Sequence, residues 1–201
     1  MKYLILVCLI VACLSRSYPL YKQCDSRWGN ERLGTSSKTI CQAGCLMSSA
    51  AMALTGCGHT YTPSTLNTWL THNGGYVGGD GYVWAAIDKL GLTYKGKIAN
   101  SEIKHHLDSG YVVILNVHNG GHWVLAHGYS GDNILVNDPG YSTTEYSLSQ
   151  IVAGQTSIYS VNKVPMFWHT LVNSIHESID YLFADDEVIV EEQEVTFVQA
   201  R

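Results

Sequence analysis

Two hydrophobic rhythms divide the chain near Gly110: apolar residues recur at helical spacing before it and fall into short β-rich runs after it. Residues 18 to 43 read as loop, with Gly29, Gly34 and the polar run Thr35-Ser36-Ser37-Lys38. From Cys45 to Leu54 the chain is rich in Ala, Met and Leu on nearly every side and is closed by Gly56 and Gly58, which predicts a buried central helix of about three turns. Thr62-Pro63 opens a second helix through Leu66, Trp69 and Leu70, because threonine caps well and proline fits a first turn, and Asn73-Gly74-Gly75 stops it. A third is expected over Tyr82 to Leu90, ended by Gly91. A fourth is expected over Ser101 to Leu107, with Ser101 as cap and Lys104 three residues on.

Beyond Gly110 the strand-like runs are Tyr111 to Val117, Trp123 to Tyr129, Asn133 to Val136, Thr144 to Ser147 and Ser157 to Val161, broken by Asn119-Gly120-Gly121 and Gly131-Asp132. Helices first and an antiparallel sheet second describe an α+β domain in two halves with a cleft between them.

The two ends differ from this body. Met1-Lys2, an apolar run from Tyr3 to Leu14, and then Ser15-Arg16-Ser17 have the order of a secretory signal peptide, too short for the ~20 apolar residues of a membrane span. Cleavage after Ser15 or Ser17 would remove residues 1–17 and leave no later membrane anchor. From Val164 the composition changes. Phe167, Leu171, Ile175, Ile179 and Leu182 recur at helical spacing, as in an amphipathic helix packed on the domain. The stretch Asp185 to Arg201 is acidic and β-branched, consistent with a disordered tail, an added edge strand or a removable segment. The expected organisation is therefore a signal at 1–17, one α+β domain at 18–164 and an extension at 165–201.

Charge narrows the partners. The chain carries a net −5, and residues 165–201 hold eight carboxylates against Arg201 alone, so the body is nearly neutral. No basic stripe appears, which argues against nucleic acid or an anionic membrane as partner. No Asn-x-Ser/Thr sequon occurs. A monomer is the simplest expectation.

Removing the signal leaves Cys24, Cys41, Cys45 and Cys57. An exported chain with an even count invites two disulfides, one of them using Cys45. A free Cys45 would instead allow one pair among Cys24, Cys41 and Cys57. Cys45 stands where the central helix begins, and helix N-termini favour thiolate over thiol, the form that attacks carbonyls. A thiol hydrolase also needs an imidazole, a group that orients it, and oxyanion donors. His122 follows Gly120-Gly121 at a strand start, and Asp138 lies at the end of the next strand, where antiparallel pairing brings a start and an end together. The Cys45 N–H at the helix start offers one oxyanion donor. Gly44 and Trp123, beside the nucleophile and base, are candidate substrate contacts.

At these residues the chain resembles the bacteriocin-processing, double-glycine leader peptidases and their wider relatives, a branch of papain-like cysteine peptidases. The resemblance spans about residues 18 to 162. It rests on Tyr21-Lys22-Gln23-Cys24-Asp25-Ser26-Arg27-Trp28-Gly29, Gly44-Cys45 with Ser48-Ser49-Ala50-Ala51-Met52-Ala53-Leu54, Gly121-His122-Trp123-Val124-Leu125 with Gly128-Tyr129, and Val136-Asn137-Asp138-Pro139. It implies a papain-like fold with Cys45 as nucleophile, His122 as base, Asp138 as its partner, and Gln23 as the side-chain oxyanion donor. The chain departs from many relatives in having Leu46-Met47 and Ser48-Ser49 after the nucleophile, and in placing its glutamine 22 residues ahead of it; Gln42 is the nearest substitute. Nothing in the sequence resembles the membrane and ATP-binding domains of the export members.

Competing readings follow from the same residues. His118 and His122 are four apart, but Gly120-Gly121 rules out the helix that would put both on one face, and no Cys-x-x-Cys occurs, so neither a metal nor an organic cofactor is expected. His127 falls on the opposite strand face from His122. Asn137-Asp138-Pro139-Gly140 is also a strong turn in its own right. The expected function is a secreted cysteine peptidase or amidase working through a thioester. Its alternatives are an acyl-transferring enzyme of the same fold and a disulfide-stabilised module that binds peptides or glycans without catalysis.

Overall fold

The computed structural model describes residues 17–159. The expected signal segment, the stripe from Phe167 to Leu182, the acidic stretch and the boundary at 164 lie outside them.

A twelve-residue helix organises the first half. Helix α2 (Cys45–Gly56) buries Met47 through Leu54 continuously, as its unbroken apolar run predicts. It follows a four-residue helix α1 (Ile40–Ala43), which corrects the reading of residues 18 to 43 as loop throughout. There Thr39 and Gln42 form a reciprocal capping box that makes the short turn stable. Helix α3 (Pro63–His72) starts as expected, with Thr62 as cap and Pro63 in the first turn.

Two expected helices take other forms. Tyr82 instead pairs in a small hairpin, β1 (Tyr76–Val77) with β2 (Gly81–Tyr82), and only Trp84–Leu90 coils, as a 3-10 segment. Over two turns the apolar spacing of a 3-10 and an α segment is nearly the same, so sequence could not separate them. Residues 100–102 are likewise 3-10 and α4 covers Ile103–Asp108; Ser101 is not the cap, since the Glu102 carboxylate accepts the Ala99 N–H at 2.9 Å.

The second half is a six-stranded antiparallel sheet in the order β3-β8-β4-β5-β6-β7. Its strands are β3 (Leu92–Ile98), β4 (Val112–Val117), β5 (His122–Ser130), β6 (Asn133–Asn137), β7 (Glu145–Ser147) and β8 (Ala153–Tyr159). Strand β3 was not legible, because Lys95, Gly96 and Lys97 hide its pattern and the pairing with β8 shifts register between Tyr94 and Gly96. Strand β8 begins at Ala153, ahead of the expected Ser157.

Both faces of the sheet are covered. Strand β4 is buried along its length: Val112 and Ile114 join the core around α2, while Val113, Leu115 and Val117 join a second core with Ile103 of α4, Val124, Ala126, Val136 and Tyr146. The expected architecture, an N-terminal helical half against a C-terminal antiparallel sheet half, is the one observed, with β3 as an edge strand contributed from between the helices.

Candidate active site

The residues that matter meet where the N-terminus of α2 faces the start of β5. Cys45 is the first residue of α2, partly exposed, and outside any disulfide. Gly44 precedes it and is buried; a Cβ there would lie 2.5 Å from the Ile40 carbonyl oxygen, so only glycine lets α1 and α2 meet at this angle. Gly44 therefore shapes the approach to Cys45, while Ala43, Cys45 and Leu46 line the cleft.

His122 begins β5 and is 6 % exposed. The turn before it is unusual, since His118 and Asn119 both hold left-handed backbone at φ 52° and 53°. Such strain costs on the order of 1–3 kcal/mol per residue and persists where surroundings impose it. Here the buried Asn116 amide donates to the Gly120 and His122 carbonyls at 3.1 and 3.2 Å, holding the turn closed. His127, in contrast, is exposed at a bulge between Ala126 and Gly128.

Asp138 follows β6 with its side chain fully buried behind His122. Its Oδ1 accepts from His122 Nε2 at 2.7 Å and from the backbone N–H groups of Gly140 and Tyr141 at 2.8 Å each, and its Oδ2 accepts from the Tyr146 hydroxyl at 2.7 Å. The turn chemistry of residues 137–140 and the contact to His122 are thus one arrangement. Burial pushes the Asp138 carboxyl up, but the donors from His122, Tyr141, Tyr146 and Gly140 outweigh it and hold the group below its usual range. Burial also presses His122 toward its neutral form. Bonds and charge from Asp138 and Cys45 overcome that and lift it to about 9. With Nε2 engaged by Asp138, Nδ1 is the ring nitrogen left to face Cys45.

The N-terminal segment is strapped across this corner. Lys22 Nζ donates to the Asp138 carbonyl at 2.8 Å and to that of Tyr141, the Gln23 N–H donates to Pro139 O at 2.9 Å, and the Asn137 amide donates to the carbonyls of Tyr18 and Pro19 at 3.1 Å each. Gln23 is buried at the cleft, its Nε2 donating to Cys41 O at 2.6 Å and its Oε1 without a hydrogen-bond partner. Exchanging the amide atoms would put two acceptors at that short distance, so one Nε2 hydrogen is committed to Cys41 and the other remains. Cys24, next in sequence, forms a disulfide with Cys41. Of the pairings the sequence left open, this one ties the Gln23 loop to the chain just ahead of Cys45. Gln42 is exposed and its Oε1 is engaged in capping α1, which leaves Gln23 the better placed glutamine.

These residues open onto a cleft of about 680 Å³. Gln23, Cys45, His122, Trp123 and Tyr141 line it together with Leu33, Met47, Tyr76 and Tyr82, and with Lys38 and Asp80 paired at 3.0 Å. Trp123 serves both core and cleft: its ring meets that of Trp84 edge-on at 5.2 Å while it lines the cleft wall. Sequence reasoning missed Asn116, Tyr141 and Tyr146, and weighed His118 only as a metal ligand; its ring lies 5.5 Å from that of His122, and its Nε2 faces the Tyr146 hydroxyl at 3.2 Å.

The sequence model of the Peptidase_C39 like family matches residues 16–160. The chain belongs to the Peptidase_C39 like family. Membership supports a cysteine peptidase function, and the match covers every site residue described above. Among the solved structures similar to the chain are two peptidases. One is a double glycine motif protease from an AMS/PCAT transporter in complex with the leader peptide, with 15 % identity over 71 % of this chain and 93 % of that one and a TM-score of 0.47. The other is a C39-like peptidase from Bacillus anthracis, with 15 % identity over 72 % and 96 % and a TM-score of 0.45. No curated protein matches.

Proposed function

We propose that this Peptidase_C39 like protein is a secreted cysteine peptidase or amidase with Cys45 as nucleophile, His122 as base and Asp138 as its orienting partner. The observation that carries the reading is the linked set at the cleft mouth: Cys45 interacts with the His122 ring, whose Nε2 is held by a buried carboxylate at 2.7 Å. An imidazolium that persists beyond neutral pH is the partner a nucleophilic thiolate needs.

In this reading the Cys45 proton passes to His122, and Sγ attacks the substrate carbonyl carbon. The oxyanion forms between the Cys45 N–H and the remaining Nε2 hydrogen of Gln23. As the C–N bond breaks, His122 gives its proton to the leaving amine, and a thioester remains on Cys45. Water, losing a proton to His122, then attacks the thioester, releasing the acid and restoring the thiol–imidazole pair. Trp123, Tyr76 and Tyr82, which line the cleft, hold the substrate chain.

The order of residues 1–17 supports export, and export is consistent with the Cys24–Cys41 disulfide. In this reading residues 18–164 are the peptidase domain, 165–201 an extension, and the mature protein a monomer acting on peptide or protein substrates. Incubating the mature protein with a random-sequence peptide library and reading new termini by mass spectrometry tests it. Cleavage by the native protein and none by Cys45→Ala is expected; equal cleavage by both would overturn it.

A further inference from the structure

The acid–base side of the site does not end at Asp138. Its Oδ2, the oxygen turned away from His122, accepts the Tyr146 hydroxyl at 2.7 Å, and the same hydroxyl lies 3.2 Å from His118 Nε2. Tyr146 is 3 % exposed, and burial together with the bond to Asp138 pushes its phenol up to about 12, so it stays protonated at neutral pH. A tyrosine hydroxyl has one hydrogen to give. Asp138, held below the usual carboxylate range, is ionised and only accepts, so that hydrogen belongs to it. The contact with His118 must therefore run the other way, with Nε2–H donating to the Tyr146 oxygen, which also bonds the Thr143 side chain.

This fixes more than a proton. His118 is exposed, yet it sits in left-handed backbone at φ 52°, and its ring packs 4.6 Å from that of Tyr141 and 5.5 Å from that of His122. An exposed histidine in strained backbone, with one ring nitrogen committed to a buried phenol, is placed by its partners rather than by local preference. We propose that Tyr146 and His118 are positioning residues for His122: His118 donates to Tyr146, Tyr146 donates to Asp138 Oδ2, and the carboxylate so fixed keeps Oδ1 aimed at His122 Nε2. Without the outer donor the carboxylate keeps only the Gly140 and Tyr141 N–H groups on Oδ1 and loses the bond that fixes its plane through Oδ2, so the imidazole is held less strictly toward Cys45.

The inference rests on the proposed Cys45–His122 pair, and one substrate-free assay separates the two. The full mature protein is alkylated with iodoacetamide at pH 6 and pH 10, and the rate at Cys45 is read by peptide mass spectrometry. Fast labelling at pH 6 that His122→Asn removes establishes the pair; slow labelling at pH 6 that His122→Asn leaves unchanged overturns the pair and the positioning role with it. With the pair established, Tyr146→Phe and His118→Phe should each slow Cys45 labelling at pH 6 by about three- to tenfold, with little change at pH 10, where a thiol ionises without help. His118→Phe should add nothing in the Tyr146→Phe background, because its effect passes through the phenol. His118→Gln, which keeps an N–H donor, should restore most of the native rate. His118 is exposed, so its variants test the inference even if Tyr146→Phe does not fold. Unchanged rates at pH 6, equal slowing at both pH values, or additive effects in the double variant would each overturn the positioning role.

Discussion

The two walls of the cleft are built to opposite standards of completeness. On the β5–β6 wall nearly every polar atom has its partner: the Asp138 carboxylate accepts four donors, and Asn116 closes the turn ahead of His122. On the α2 wall and its flank, buried polar atoms are left over, namely Gln23 Oε1, Ser48 Oγ and the Tyr82 hydroxyl. A buried polar group without a partner costs about 1–3 kcal/mol, so it persists where something else can use it. The His122–Asp138 side is thus fully bonded within the protein, whereas across the cleft Gln23 and Tyr82, which line it, keep unused polar atoms and Ser48 keeps one in the core.

Breaking the saturated wall should cost most. Asp138→Ala strands a buried imidazole, two backbone N–H groups and a phenol, and it should destabilise the fold by about 3–5 kcal/mol in urea unfolding and abolish cleavage. Next comes the covalent tie on the nucleophile side. Removing the Cys24–Cys41 link, whose partners are 17 residues apart, should cost about 3 kcal/mol by the same measurement. It should also lower kcat, because the Gln23 loop is no longer pinned to the chain ahead of Cys45. Gly140→Ala places a Cβ 2.8 Å from His122 Cε1. It should cost about 1–3 kcal/mol and slow Cys45 alkylation by displacing the ring. Smallest in stability is Cys45→Ala, a partly exposed thiol at the cleft; thermal unfolding should move by less than about 1 kcal/mol while cleavage disappears. Comparable destabilisation by Asp138→Ala and Cys45→Ala would erase the contrast between the walls.

The pH dependence sharpens the same contrast. His122 is raised from its ordinary 6.5 to about 9, so its contribution to stability is fully present below about pH 6.5 and is lost as pH rises through about 9. Asp138 is lowered from 3.8, so its contribution is present above that value and is lost as pH falls below it. Urea midpoints measured between pH 3 and 10 should be highest between these limits, and Asp138→Ala should flatten both edges.

How far the sequence reached follows the same division. The place of Cys45 at a helix start was legible because a glycine followed by an unbroken Ala, Met and Leu run announces a buried helix. The nearness of His122 to Asp138 was legible because neighbouring antiparallel strands bring a start and an end together. Tyr146 was not: it reads as one aromatic in a short strand, and its value lies in where the next turn returns it. Asn116 read as part of an apolar strand, and only the closed turn shows what its amide does. Strand β3 was hidden by two lysines and a glycine, whose pairing with β8 no local pattern encodes. The contact that requires glycine at Gly44, with Ile40 of the preceding turn, was not legible in the sequence.

In the proposed site Cys45 has already given its proton to the imidazole before substrate arrives, and the His122 ring reports this directly. Nitrogen-15 NMR titration of the histidine side chains, in the native protein and in Cys45→Ala, is the measurement to make. His122 should titrate at about 9 in the native protein and at a lower value in Cys45→Ala, because Cys45 is one of the groups that lift it. A His122 ring that titrates at its ordinary 6.5, unchanged when Cys45 is removed, would contradict that proton transfer.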